Sequence, residues 1–230
     1  MNKNGISKRI SPPECGTQND TDRRMEEISS RLRRSFETAS RERTKSSGDG
    51  KSISIQERRD LESLASLEYA KEKNLWIPDI YDLGNPFLSG SENTVVLNSE
   101  EVVVYKSNNL MNSKTISGLL DQITIHNQLF PETKYELVGF TGIDKGEGKV
   151  PYIEVVLKQS FINIAVSANS FEIANYMKSL EFKMISNTSF ANSQYTISDL
   201  YPRNVLKDNN GDLYIIDNIV SENKQVIKCV

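Results

Sequence analysis

The chain has 230 residues, 37% hydrophobic and 26% charged, at the low apolar end for a compact protein, so it holds one domain of ordinary size or a smaller one with a tail that does not fold. No run approaches the about 18 to 20 apolar residues that cross a bilayer, and Met1–Ile10 carries Lys3, Lys8 and Arg9 with no apolar stretch behind them, which argues against a membrane span and a standard signal peptide. Cys15 and Cys229 are the only cysteines, too few for a disulfide scaffold or a paired zinc spacing, and a reducing cytoplasm is the expected home.

Residues 1–51 hold 12 Lys and Arg against 8 Asp and Glu, and the remainder is net acidic. Rich in polar residues, with scattered apolar ones, residues 1–52 are expected to be a disordered basic arm ahead of a folded domain over 53–230. Within the arm Met25, Ile28, Leu32 and Phe36 recur at helical spacing among Arg31, Arg33, Arg34, Arg41 and Arg43. That pattern predicts a transient amphipathic helix, either with a simply solvated charged face or as the one place for nucleic acid or a partner helix.

Ser54-Ile55-Gln56-Glu57 has capping-box spacing, and Leu61, Leu64, Ala65 and Leu67 follow, predicting a helix to about Asn74. Thr94–Leu97 and Val102–Lys106, joined by the polar 98–101, read as a hairpin. Ile116, Leu119, Leu120, Ile123 and Phe130 mark one face of a helix ending at Pro131, and 135–141 with 150–157 form a second hairpin. Beyond Lys158 a helix is expected over 172–182 with Asn169 as N-cap, then a short strand near Met184. The end reads as a hairpin, 204–207 and 212–217, around Asp208-Asn209-Asn210-Gly211.

The stretch Asp199-Leu200-Tyr201-Pro202-Arg203-Asn204, followed after the hairpin by Ile215-Ile216-Asp217, is similar to a protein-kinase catalytic region, in which D-L-x-x-x-N precedes a metal-binding Asp. There an Asp receives or orients the acceptor hydroxyl proton, while Asn and the later Asp offer Mg²⁺ the hard oxygen ligands it prefers. Upstream, Gly90-Ser91 precedes the strand of Val95, where a small residue lets backbone amides approach phosphate, and Lys106 ends the next strand. Each feature alone has a plain structural reading: a turn glycine, a solvated lysine, a capping Asp or Asn. Their joint order carries the argument.

The chain resembles the kinase-like domain found in polyvalent proteins of bacterial phages and conjugative elements. The resemblance covers most of 70–220 and rests on Trp76-Ile77-Pro78, Gly90–Asn93, Val104-Tyr105-Lys106, His126–Pro131, Gly139-Phe140 and Asp199–Leu206. It implies a kinase-like ATP site and a bacterial mobile-element setting. Three departures stand out. The helix after Lys106 has no Glu for the expected ion pair, and Asp121 lies opposite its apolar stripe, while Asn127 and His126 are either contacts of Lys106 or satisfied core polar residues. Ile197-Ser198 replaces the usual His-Arg before the catalytic Asp. With 13 residues after Asp217, no activation loop or later helices are expected, which speaks against a large peptide substrate.

The expected fold is therefore α+β and protein-kinase-like: an antiparallel N-terminal sheet with one helix, then a reduced helical part carrying the catalytic hairpin, with the cleft between them. The expected site has Asp199 on the acceptor, Asn204 and Asp217 on Mg²⁺, Lys106, Gly90 and Ser91 on the ATP phosphates, and backbone groups of Leu157 to Gln159 at the adenine. The acceptor, protein or small molecule, is open. The alternative is a pseudokinase or nucleotide- or partner-binding module without catalysis.

Overall fold

A computed structural model of the chain describes residues 20–47, 53–163 and 166–223. The basic start at Met1–Ile10, Cys15, Cys229 and residues 48–52 lie outside the described residues. The chain divides into two compact units, Asp20–Phe161 and a second that includes Ile162–Val230.

In the first unit, α1 (Asp20–Ser47) and α2 (Ile55–Glu72) precede a short 3-10 helix (Ile80–Leu83), then β1 (Asn85–Pro86), β2 (Asn93–Asn98) and β3 (Val103–Asn108), α3 (Ile116–Leu129), β4 (Tyr135–Ile143) and β5 (Tyr152–Ser160). The five strands form one antiparallel sheet in the order β1-β2-β3-β5-β4. The capping box at α2 forms as its spacing predicts: Glu57 N–H donates to Ser54 Oγ at 3.2 Å and Ser54 N–H to the Glu57 carboxylate at 2.8 Å. Between β2 and β3, Asn98 Oδ1 accepts from the N–H groups of Glu100 and Glu101, and this side-chain turn closes the predicted hairpin. The segment after α2 runs along the open edge of β4, with Phe140 N–H donating to Leu75 O and Ile77 N–H to Phe140 O. A side chain at Gly139 would collide with Leu75 O, so only glycine permits this approach.

Residues 20–47 correct the expectation of a disordered arm. They form α1, whose Met25, Ile28 and Leu32 are buried in one cluster with Tyr69, Leu120 and Phe140. The apolar stripe was visible in sequence; its partners, the faces of α2, α3 and β4, were not, because they lie far along the chain. Burial of those side chains offsets the ordering entropy that an isolated polar segment could not. Arg31 donates to Glu72 at 2.6 Å, and the Arg58 guanidinium stands 5.0 Å over the Phe36 ring, while Arg33, Arg34 and Arg41 are exposed.

A buried carboxylate ties the helices together. Glu62 of α2, 2% exposed, accepts from Ser117 N–H (3.0 Å), Ser117 Oγ (2.6 Å) and Arg58 Nε (2.9 Å). It satisfies an N-terminal amide of α3 that the helix cannot, beside the cap from Thr115 Oγ1 to Gly118 N–H.

The second unit comprises β6 (Val166–Ser167), α4 (Ser170–Ser179), β7 (Lys183–Ser186), β8 (Ser189–Ala191), β9 (Tyr195–Ser198), a 3-10 turn (Pro202–Asn204), β10 (Val205–Lys207), β11 (Leu213–Ile215) and β12 (Ile219–Glu222). Asn169 caps α4 as its position predicts, accepting from Phe171 and Glu172 N–H. The strands make two small sheets, β11-β10-β6 and β12-β9-β8-β7. The expectation of one helix on the first sheet and a reduced helical second part is corrected: three helices accompany the five-stranded sheet, and the described part of the second unit has one helix among seven short strands. Those strands, two to four residues long, leave almost no period-2 pattern to read.

Candidate active site

Two antiparallel ladders build the second unit's polar centre. In the first, Ser198 of β9 pairs with Ile219 of β12, so Asp199, just after one strand, and Asp217, just before the other, emerge at the same end. In the second, Val205 of β10 pairs with Ile215 of β11, and Ile216 N–H donates to Asn204 O at 3.0 Å, so Asn204 and Asp217 also share an end. The intervening hairpin closes through Asp208 Oδ1, which accepts from Asn210 and Asp212 N–H, and through Gly211 at φ 88°. The register thus brings Asp199, Asn204 and Asp217 together.

The segment between Asp199 and Asn204 is held tightly. Asp199 has φ 65°, a left-handed conformation that Asp tolerates better than most residues. Its carbonyl accepts from Tyr201 N–H at 2.8 Å, and Leu200 N–H donates to Thr188 O at 3.0 Å. Asn204, 7% exposed, donates Nδ2 to the Asp199 carbonyl (2.8 Å) and to Asp199 Oδ2 (2.9 Å). With Nδ2 engaged there, the end of the amide left for a cation is its oxygen. Burial, and then the negative charge of Asp217, push the Asp199 carboxyl above its ordinary value, while Arg203 and the Asn204 hydrogen bond act in the opposite sense. A cation beside Asp199 and Asp217 would relieve that repulsion. Among the described residues no group of three or more His, Cys, Asp or Glu could hold a metal ion. The set here is two carboxylates and an amide oxygen, hard donors of the kind Mg²⁺ takes.

Lys106, Gly90, Ser91, Leu157 and Gln159 belong to the first unit. Lys106 does not end its strand: β3 continues to Asn108, and Lys106 is 8% exposed. Its Nζ donates to the Tyr135 hydroxyl at 3.1 Å and lies 4.9 Å from that ring's centroid. Asn127 and His126 behave as satisfied core groups in the bonds they make. Asn127 binds both backbone groups of Tyr135, and His126 Nε2 lies 3.0 Å from Thr133 O. Tyr135 gave no sign in the sequence beyond opening a strand, and only the register of three strands reveals it.

The loop at Gly90 and Ser91 precedes the strand of Val95, as expected, and connects it to β1, but Gly90 N–H already donates to Asn93 O at 3.0 Å, and Ser91 O accepts from Asn109 Nδ2 at 2.8 Å. The Gly90 amide is therefore engaged in the turn; what the glycine provides is open space, since an added Cβ would meet nothing within 4 Å. Leu157 and Gln159 are corrected as adenine contacts. β5 is flanked by β3 and β4, with Leu157 opposite both Lys106 and Leu137, and Gln159 opposite both Val104 and Tyr135. A strand laddered on both sides has no backbone edge to offer a base. The Leu157 side chain is core, and Gln159 Nε2 donates to Thr133 O at 2.6 Å.

The family model described as the serine/threonine/tyrosine kinase found in polyvalent proteins matches residues 60–224. The chain belongs to this kinase family. The match takes in α3 and β5 as well as the Asp199–Asp217 segment, and begins within α2, so α1 lies ahead of it. No curated protein and no solved structure matches the chain. Among the described residues of this kinase, no helix is long and apolar enough to cross a membrane.

Proposed function

We propose that this polyvalent-protein kinase transfers a phosphoryl group from ATP to an acceptor hydroxyl with the help of Mg²⁺, in a bacterial mobile-element setting. The observation that supports this most is the pair of hydrogen bonds that Asn204 Nδ2 donates to the carbonyl and carboxylate of Asp199, beside Asp217. It uses one oxygen of Asp199 and leaves Oδ1 for the acceptor. In the reaction the acceptor oxygen bonds to the γ-phosphorus, the bond from phosphorus to the β,γ-bridging oxygen breaks, ADP departs, and the hydroxyl proton passes to Asp199. A carboxylate whose affinity for protons is raised by burial is better suited to accept that proton than an ordinary surface aspartate. Asn204 Oδ1 and the Asp217 carboxylate are the ligands we assign to Mg²⁺, which when bound neutralises phosphate charge. Lys106 is assigned to the phosphate oxygens, with Gly90 and Ser91 over the phosphates. Thermal shift of the full chain with ATP, with and without Mg²⁺, tests the reading. Stabilisation that requires both is expected, since a ligand bound only by the native state must raise its stability. No shift under either condition would refute it.

A further inference from the structure

The sheet face that carries Lys106 is the one α3 covers, yet α3 turns no acid toward it: its one acidic residue, Asp121, is exposed. Tyr135 stands beside the ammonium instead, through its hydroxyl and its ring. The register accounts for the pairing. On the intervening β5, Leu157 is opposite Lys106 and Gln159 is opposite Tyr135, and residues two apart on a strand share a face.

Tyr135 is itself fixed. Its N–H donates to Asn127 Oδ1 at 2.7 Å and its carbonyl accepts from Asn127 Nδ2 at 2.8 Å, so one α3 side chain clamps both backbone groups. Its ring lies against His126 with centroids 4.9 Å apart. Tyr135, Lys106 and His126 are all buried, which leaves the phenol little freedom to swing away.

We propose that Tyr135 is the positioning residue for Lys106, aiming its ammonium at nucleotide phosphate through a hydroxyl acceptor and a ring face, with Asn127 anchoring the tyrosine to α3. The inference rests on Lys106 being the phosphate-binding lysine. It differs in kind from an ion pair, because a phenol is uncharged at neutral pH and orients the ammonium without neutralising it. Displacing α3 would reach Lys106 through the backbone clamp on Tyr135.

Tyr135→Phe tests this in the full chain, since it keeps the ring and nearly all its volume and removes only the hydroxyl. The expected result has two parts: KM for ATP rises about tenfold, the scale of one hydrogen bond to a charged group, with a smaller change in kcat, and Lys106, mapped by mass spectrometry, is acylated severalfold faster by an amine-reactive reagent, with the melting temperature close to the parent's. A purely structural tyrosine would leave the labelling ratio unmoved. Unchanged Lys106 labelling together with unchanged KM would overturn the proposal. If the parent shows no ATP response, the nucleotide reading fails separately, and the labelling ratio still decides the pairing. If the Phe variant melts far below the parent, Asn127→Ala, which keeps the phenol but releases its anchor, should raise Lys106 labelling in the same direction, and no rise would overturn the proposal.

Discussion

In the unit Asp20–Phe161, three helices close on one sheet around a continuous cluster of buried side chains, whereas the described residues from Ile162 on form strands of two to four residues and one ten-residue helix. Position is set differently in the two. A side chain of the first unit stays where burial keeps it; Asp199, Asn204 and Asp217 stay where ladder ends and turn hydrogen bonds put them. Ladder ends fix the backbone yet leave the Asp199 and Asp217 side chains partly exposed, which suits groups that must meet a substrate. The comparison implies that substitutions in the buried helix faces of the first unit act mainly on stability and those at the ladder ends of the second mainly on chemistry.

The largest expected effect is on turnover. Asp199→Asn keeps an acceptor for Asn204 Nδ2 but cannot take a proton, so phosphoryl transfer should fall about 10³-fold, within the range for losing a general base, while ATP binding stays near the parent's. Parallel turnover and titration assays check this, and equal losses in both would blur the division between the units.

Next comes the packing of α1. Ile28 is 0% exposed, and Ile28→Ala should cost about 3 kcal/mol through lost burial and an unfilled cavity. Trp76, the one tryptophan, lies in the first unit and packs against its cluster, so its fluorescence in a urea titration reports that unit. An unchanged midpoint would return α1 to the status of a loose arm.

Smaller again is Glu62→Gln, which puts an amide N–H where Ser117 or Arg58 needs an acceptor. A loss of about 1–2 kcal/mol is expected by the same fluorescence. The smallest effect runs the other way. Because the folded state raises the Asp199 carboxyl above its ordinary 3.8, Asp199 contributes stability below that value and loses it as pH rises through the folded pKa. At neutral pH the charged group is a net burden beside Asp217, so Asp199→Asn should melt slightly higher than the parent there, with the gap closing in acid.

How much was legible in sequence divides along the same line. Ser54 with Glu57, Asn169 with Glu172, the 98–101 turn and Gly211 are local signals within four residues of their targets, and each forms as read. That Asp199, Asn204 and Asp217 come together was legible too, because the loop and hairpin that link them are short in sequence. Tyr135, Glu62 and the burial of Met25, Ile28 and Leu32 depend on partners 29 to more than 50 residues away. Local periodicity carries no information about such pairings. Lys106 fell between the two cases: its strand was read, but two residues short of its end, and its burial was not.

The most direct test of the central claim is calorimetric titration of ATP into the parent and Asp217→Asn, each with Mg²⁺ and with EDTA. The account predicts that Mg²⁺ tightens ATP binding by the parent and that Asp217→Asn abolishes the gain while leaving the residual metal-free binding. Equal affinity with Mg²⁺ and EDTA in the parent, or a full Mg²⁺ gain in the variant, would contradict it.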